Sequence, residues 1–327
     1  MSKKTKKITS IGGSALIEGI MMRGPKRTTV CVRTGENEIY SEDVSIKTLA
    51  EKYRIFKLPF FRGIAGLIDS MRLSYKSLML SADKAIEAGE VEEEEPSKFE
   101  KWLDEKFGDK LVKIMMVIAS IIGVALAIGL FFFVPSYLFD LSAKVIPAFE
   151  GSGETAVLWK SVFEGVLKIA LFLIYIIVCS QMTEMKRVFM YHGAEHKTIF
   201  CYENEEELTV KNVKKQSRFH PRCGTSFMIL MLIVGIIVGL FVPVKPFGIA
   251  FLRPVFKILL LPISCGVGYE LIKICGKHDN LLTKIISAPG LWAQRITTKE
   301  PDDKMIEVAI KAIKEVIPED GSDIISK

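Results

Sequence analysis

One long uncharged stretch determines the fold class of this chain. No charged residue occurs between Lys113 and Asp140, and most of the residues between them are aliphatic or aromatic. A helix needs roughly 20 such residues to cross the hydrocarbon core of a bilayer. The stretch is therefore predicted to be a membrane-spanning helix, and the 49% hydrophobic composition fits this class.

Three further apolar segments are predicted to span the membrane. Gly165 to Met182 carries only Lys168, whose long stem can bring its amine to the headgroups. Thr225 to Pro243 carries no charge. The fourth segment, Pro254 to Ile274, is predicted to be a kinked span or a re-entrant segment. The residues that interrupt it are Lys257, Pro262, Glu270 and Lys273.

Basic residues indicate which loops face the cytosol. The stretch between spans one and two has little beyond Lys144, whereas the stretch between spans two and three is rich in lysine and arginine. The basic residues of this second stretch are Lys186, Arg187, Lys197, Lys211, Lys214, Lys215, Arg218 and Arg222. With four spans, and with no signal peptide expected from the MSKKTKK start, both termini are predicted to be cytoplasmic. The net charge of +6 then follows from topology and anionic lipid, and nucleic acid is not expected as a partner.

The polar segments complete a five-part organisation. The fold class predicted is a mainly α-helical integral membrane protein with about four transmembrane helices, a small N-terminal β-rich cytoplasmic unit and amphipathic helices. In the first part, TTVCVR and EIYSEDV flank Thr34 to Asn37 as a hairpin. The predicted parts are a β-rich unit at 1–58, an amphipathic or interfacial helix at 59–84, an acidic linker at 85–110, a membrane domain at 111–274 and a cytoplasmic tail at 275–327.

Three of the four histidines fall in the cytoplasmic loop 182–224. The sequence YHGAEHKTI forms H-x-x-E-H, which puts His192 and His196 one turn apart on one helix face, where both rings can reach one ion. Glu195 could serve as a general base for water activated by a zinc ion. His220 and Cys223 follow in HPRCG, and the six cysteines contain no C-x-x-C pair.

The sequence leaves the identity of the remaining ligands open. His220 and Cys223 are the nearest candidates, and a shell of His192, His196, His220 and Cys223 would be closed and structural. An open shell with Glu195 free would favour hydrolysis. The other candidates are Glu203, Glu270, His278 and Asp279. The alternative to a metal site is a pair of histidines at the membrane interface, on a helix that Gly193 weakens by roughly 1 kcal/mol.

Five motifs resemble the YqhQ-like family of bacterial membrane proteins, which carries a domain of unknown function. They are GGSALIEGIMMRGP at 12–25, RGIAGL at 62–67, HGAEHKTI with CYE at 192–203, HPRCGTSF at 220–227 and PGLWAQRITTKEP at 289–301. The resemblance covers nearly the whole chain and implies a multi-pass protein of the bacterial cytoplasmic membrane. Members of the family are described as predicted metal-dependent enzymes, so the resemblance implies the same expectation for this chain.

Several polar residues of this chain match the motifs of the family. Glu18 and Arg23 match the first motif, and one hypothesis is that they form an ion pair with the histidine loop. This chain departs from the family at position 14, where it has serine and the family is associated with glutamine. The matching residues of the two loop motifs are His192, Glu195, His196, His220, Arg222 and Cys223.

Two functions are consistent with these features. The first is an accessory or assembly factor for membrane proteins, with a cytoplasm-facing His/Glu/Cys site that binds zinc structurally. The expected partners are the lipid bilayer and other membrane proteins. The alternative is a zinc-dependent membrane hydrolase that uses H-x-x-E-H. No other cofactor is expected.

Overall fold

A computed structural model describes residues 7–58, 61–89, 114–115, 117–149, 153–277 and 280–326. The chain is mainly helical, with a small β-rich part near its N-terminus. It divides into two compact units. Unit 1 comprises Met1–Val91, Phe172–Val234 and Pro262–Lys327, and unit 2 comprises Glu92–Leu171 and Gly235–Leu261.

The β-rich part is a four-stranded antiparallel sheet in the order β2-β3-β4-β5. The predicted hairpin is confirmed as β4 and β5, and the glycine-rich segment before it forms a second hairpin, β2 and β3. A separate pair, β1 and β6, joins the two ends of the chain. The strands are β1 (Ile8–Thr9), β2 (Gly12–Leu16), β3 (Gly19–Arg23), β4 (Thr28–Arg33), β5 (Ile39–Asp43) and β6 (Ile324–Ser326).

The α-helices of the described residues are numbered in chain order. They are α1 (Leu49–Lys52), α2 (Phe61–Glu87), α3 (Val117–Ser142), α4 (Glu154–Cys179), α5 (Thr183–Glu203), α6 (Val210–Lys214), α7 (Gly224–Gly239), α8 (Leu252–Leu259), α9 (Leu261–Lys277), α10 (Leu281–Thr297) and α11 (Asp303–Val316). Helix α2 extends to Glu87, so the first residues of the predicted acidic linker are helical. The rest of that linker, from residue 90, lies outside the described residues.

The sheet of unit 1 is covered by helices on both faces. On one face Ile20, Met22 and Cys31 pack with buried residues of α5 and α11, such as Tyr191 and Ile313. The apolar residues of α11 recur at helical spacing, and the Asp302 carboxylate caps its first turn at Met305 N, 2.8 Å away. Each large side chain fully buried here contributes about 1.5–3 kcal/mol.

On the other face of the sheet, Leu16, Met21 and Val30 pack against Leu73 and Ala85 of α2. Alternate residues of one strand, such as Ile20 and Met21, therefore point to different layers, as the two-residue period of a strand requires. The sheet is thus the middle layer of unit 1, with α5 and α11 on one side and α2 on the other.

Two helices are long and apolar enough to cross a membrane, namely Val117–Ser142 and Glu154–Cys179. A bent pair, Leu252–Leu259 and Leu261–Cys275, makes a third if it forms one span. Its 46° bend is consistent with both predicted forms, a kinked span and a re-entrant segment. The third predicted span is a helix of 16 residues, Gly224–Gly239. The described residues therefore give two or three candidate spans where the sequence predicts about four.

Charges that interrupt the apolar segments have partners. In unit 2, the Glu164 carboxylate accepts hydrogen bonds from Arg253 Nε at 3.3 Å and from Lys257 Nζ. In unit 1, Glu270 accepts from Arg62 Nε at 2.7 Å. Pairing of this kind is what allows ionisable groups to lie among apolar helices.

Candidate metal centre

Two imidazoles and one thiol meet at α5. His192 and His196 lie one turn apart on the same face of this helix, with ring centroids 4.4 Å apart. Cys223 directly precedes α7, and its Sγ lies 3.1 Å from His192 Nε2. One ligand atom from each of the three residues lies within 4.8 Å of the others. Of the predicted metal ligands, the structure therefore brings together His192, His196 and Cys223.

Gly193 allows α5 to carry this motif despite its low helix propensity. A Cβ at this position would lie 2.0 Å from the backbone oxygen of Lys299, far closer than atoms can approach. The segment that follows α10 crosses α5 here, and Lys299 N donates a hydrogen bond to Phe189 O at 2.8 Å. Glycine inside the motif is thus required by a backbone contact.

Backbone carbonyls fix the orientation of both histidine rings. His192 Nδ1 donates to Thr297 O at 2.9 Å, and His196 Nδ1 donates to Arg218 O at 2.6 Å. A carbonyl can only accept, so both Nδ1 atoms carry protons and the Nε2 atoms are the ones available to an ion. Metal-binding histidines are commonly oriented by such outer hydrogen bonds.

Gln294 of α10 holds the loop that carries Cys223. Its Oε1 accepts from His220 N at 2.7 Å, and its Nε2 donates to His220 O at 2.7 Å. The same Nε2 also donates to Ser226 Oγ at 2.9 Å. Gln294 is fully buried, so these bonds are shielded from water and the loop is fixed on both sides of Cys223.

The Glu195 carboxylate lies beside the three ligand residues. Its Oε1 accepts a hydrogen bond from Gly13 N at 2.9 Å, and its buried Oε2 has no hydrogen-bond partner. Burial raises the pKa of Glu195 above its usual value, although His196 and His192 act in the opposite direction. Asp69 Oδ1 and Asp323 Oδ1 are also buried without a hydrogen-bond partner, but Glu195 is the one of the three that lies beside His192, His196 and Cys223.

The thiol and the nearest imidazole form a charge pair. Burial opposes ionisation of Cys223, yet His192 outweighs burial and lowers the pKa of the thiol well below its usual value. Burial likewise opposes the charge on His192, but the Cys223 thiolate raises the pKa of His192 to about 9. The thiolate form is the one that binds metal ions.

His220 lies next to these residues but has other partners. Its ring centroid is 5.5 Å from that of His196, and its Nε2 lies 3.7 Å from the Glu203 carboxylate. Arg222 donates to the same carboxylate and, through Nη1, to Thr9 O at 3.1 Å. Burial lowers the pKa of His220 to about 4. Burial alone would raise the pKa of Glu203, but His220 and Arg222 lower it to about 2.

The other candidate ligands are separated from this group or lie outside it. Glu203 binds Arg222 and Thr9 N, and Glu270 pairs with Arg62. His278 and Asp279 lie outside the described residues. Sequence reasoning did not single out Gln294, Thr297 or Arg218. Gln294 and Thr297 belong to the PGLWAQRITTKEP segment, and a glutamine on the buried face of an amphipathic helix is the signal that could have identified Gln294.

Glu18 is joined to the histidine helix, as the ion-pair hypothesis suggested for the first motif. Its carboxylate binds Arg187 in a two-pronged pair and accepts from Tyr191 Oη at 3.2 Å. Glu18 has a φ of 48°, a left-handed conformation that a non-glycine residue rarely adopts. The turn between β2 and β3 is therefore held against α5, and Arg23 is exposed.

Comparison with known proteins identifies the family. A family model described as "Protein of unknown function (DUF1385)" matches residues 58–319, and the chain belongs to this family. The chain is also 33% identical over 308 residues to "Uncharacterized protein YqhQ" of Bacillus subtilis (strain 168). That similarity covers 94% of this chain and 92% of the relative. No solved structure matches the chain.

Proposed function

We propose that the protein is a zinc-dependent hydrolase of the bacterial cytoplasmic membrane. His192, His196 and Cys223 would hold the ion, and Glu195 would act as the proton acceptor. The observation that carries the proposal is the grouping of three ligand atoms within 4.8 Å beside a buried carboxylate oxygen that has no partner.

The donor set fits zinc. Two imidazole nitrogens and one thiolate are ligands that Zn²⁺ accepts, and a site with three protein ligands retains a position for water or substrate. His220 is bound to Glu203 and Arg222, so among the described residues it does not fill that fourth position. When bound, zinc would supply Lewis-acid activation of a water molecule and a substrate carbonyl.

The chain's own residues perform the remaining tasks. The backbone carbonyls of Thr297 and Arg218 accept hydrogen bonds from the Nδ1 atoms of His192 and His196. Both rings are thereby held in place, and their Nε2 atoms are left to bind the ion. Gly13 fixes Glu195 through Oε1 and leaves Oε2 to take a proton from water and to pass it to a leaving group. The raised pKa of a buried carboxyl suits a group that gains and loses a proton.

We also propose four spans with both termini in the cytosol. Helix α7, about 24 Å long at 1.5 Å per residue, is short for the roughly 30 Å core, and the apolar residues after it extend the segment. The basic loop 182–224 supports a cytoplasmic location for the metal centre. Reporter fusions at Lys144 and at Glu206 test the topology, since only the second is expected on the cytoplasmic side.

Metal analysis with matched variants tests the site. The purified wild type is expected to hold about one zinc ion per chain, and His192→Ala, His196→Ala and Cys223→Ser are expected to lose it. His220→Gln is the control and is expected to retain the ion. A metal-free wild type, after purification without chelators, would rule out both the metal site and the proposed hydrolase function.

A second measurement separates a catalytic ion from a structural one. Cobalt-substituted protein is expected to show a thiolate charge-transfer band that shifts when acetohydroxamate is added, because an open position admits it. Glu195→Gln is expected to keep the ion and to lose hydrolysis in a screen of peptides and esters. An unshifted spectrum would contradict the hydrolase and leave a closed, structural site.

An accessory or assembly role for other membrane proteins is the second candidate. The burial of Glu195, His196 and Cys223 favours it, because a structural ion needs no path for a substrate. Cross-linking in cells, followed by identification of the captured chains, tests this role. Recovery of no reproducible membrane-protein partner would count against it.

A further inference from the structure

Helix α2 buries its small and polar side chains and exposes its large apolar ones, which is the reverse of an amphipathic helix in a soluble protein. Its buried residues are mostly small or polar, and Leu73 is the one large apolar residue among them. The others are Gly63, Ala65, Asp69, Ser77, Ser81 and Ala85. The large apolar side chains of α2 are exposed instead, with Met71 66% and Tyr75 68% exposed.

These exposed apolar residues form one continuous face. Beyond the first turn of α2 they are Ile68, Met71, Tyr75, Leu78, Met79 and Ile86. At 3.6 residues per turn, all six fall within an arc of about 100°, on the side of the helix opposite Leu73 and Ser77. A contiguous apolar face of this kind marks a surface that meets a membrane or another protein.

The start of α2 is attached to a helix of the bent candidate span. A Cβ on Gly63 would lie 2.9 Å from Tyr269 Cβ, so the two backbones approach closely. The neighbouring Arg62 pairs with Glu270 of the same helix, α9. This contact lies within unit 1 and joins the first turn of α2 to a helix of the bent candidate span.

Charge indicates what covers the face. Arg72 and Lys76 lie along one edge of the apolar arc, and residues 47–87 contain eight Lys and Arg against four Asp and Glu. Basic residues beside an apolar face are typical of helices that lie in an anionic membrane interface. Among the described residues, α2 is not one of the helices apolar enough to be a candidate span.

We propose that α2 lies in the plane of the membrane interface, with the face defined by Ile68 to Ile86 buried in an anionic bilayer surface. This inference does not depend on the metal centre. The bilayer covers the apolar side, and the basic edge contacts lipid phosphates. Helix α2 then attaches unit 1 to the membrane surface, with the sheet on the side of α2 that faces away from the lipid.

Depth-dependent quenching in the full chain tests this proposal. A genetically encoded fluorescent amino acid at Tyr75 would be compared with the same probe at Glu36, an 86% exposed side chain between β4 and β5. In nanodiscs of phosphatidylglycerol with spin-labelled lipid, the Tyr75 probe is expected to be quenched several-fold more strongly. Equal quenching at the two positions would overturn the proposal and leave a protein partner as the occupant.

A variant of the face, a control variant and a change of lipid complete the test. Met71→Glu is expected to reduce quenching at Tyr75, whereas Ser70→Glu, an exposed position of the same helix outside the arc, is expected to leave it unchanged. Equal effects of the two variants would contradict burial of this face. Replacement of phosphatidylglycerol by phosphatidylcholine is expected to reduce quenching, and an unchanged value would overturn the anionic preference.

Discussion

The side-chain amide of Gln294 binds both backbone groups of His220, with each of the two hydrogen bonds 2.7 Å long. Helix α10 thereby holds the loop between Arg218 and Cys223. The same helix supplies Thr297 O to His192. Two of the three ligand residues thus depend on α10 for their positions, although α10 itself supplies none of the three.

Replacement of Gln294 by Leu is expected to weaken metal binding at the proposed centre. Two buried backbone groups would lose their partners, at about 1–3 kcal/mol each, and metal affinity should fall about 10–100-fold. Competition with a chelator and thermal unfolding in detergent measure the two effects. Gln181→Leu, at an exposed glutamine, is the control, and unchanged affinity in Gln294→Leu would show that the clamp does not position the site.

Replacement of Gly193 by Ala is expected to destabilise unit 1 despite the better helix propensity of alanine. Alanine contributes about 1 kcal/mol in a helix, but a Cβ placed 2.0 Å from Lys299 O forces the backbone to move, at about 1–3 kcal/mol or more. The midpoint of thermal unfolding measures the balance. Gly66→Ala in α2 is the control, because its Cβ would be 3.9 Å from Tyr269. A more stable Gly193→Ala protein would contradict the close approach.

Glu18 and Arg187 are expected to be coupled energetically. Their two-pronged pair joins the β2–β3 turn to α5, and Glu18 is only 5% exposed. A double-mutant cycle with Glu18→Gln and Arg187→Met should give about 1–2 kcal/mol of coupling in unfolding measurements. The exposed pair of Lys26 and Asp320 provides the comparison, with coupling below about 1 kcal/mol. Equal coupling of the two pairs would contradict the proposed attachment.

The lowered pKa of Glu203 predicts how stability depends on pH. The ionised form is favoured in the folded state, so the contribution to stability is complete above the ordinary value of 4.5 and is lost as pH falls toward about 2. The loss should be on the order of 3 kcal/mol. Unfolding midpoints between pH 6 and pH 3 should therefore fall more in the wild type than in Glu203→Gln. Glu206→Gln, at an exposed glutamate, should follow the wild type, and parallel curves for all three proteins would contradict the prediction.

Local patterns in the sequence predicted the local parts of the structure. The i, i+4 spacing of His192 and His196 gave a shared helix face, and alternation around Thr34 to Asn37 gave the β4–β5 hairpin. The kink of the fourth apolar segment also followed from the residues within it. Each of these features depends on neighbours within a few residues, where periodicity and turn chemistry act.

Contacts between distant segments could not be predicted in this way. His220 and Cys223 are three residues apart, yet the first joins Glu203 and the second joins the imidazoles, because packing of the loop against Gln294 decides their directions. The approach of Lys299 to Gly193 likewise has no local signature. The sequence also predicts an amphipathic or interfacial helix at 59–84, but it does not indicate which of its two faces packs against the sheet.

The hydrogen bond from His192 to Thr297 has a consequence for biosynthesis. Thr297 follows Gly13, which orients Glu195, by 284 residues along the chain. The β2–β3 hairpin is therefore synthesised before both the histidine helix α5 and α10. A fully oriented site is available to an ion only after α10 has been made and has packed against the histidine helix.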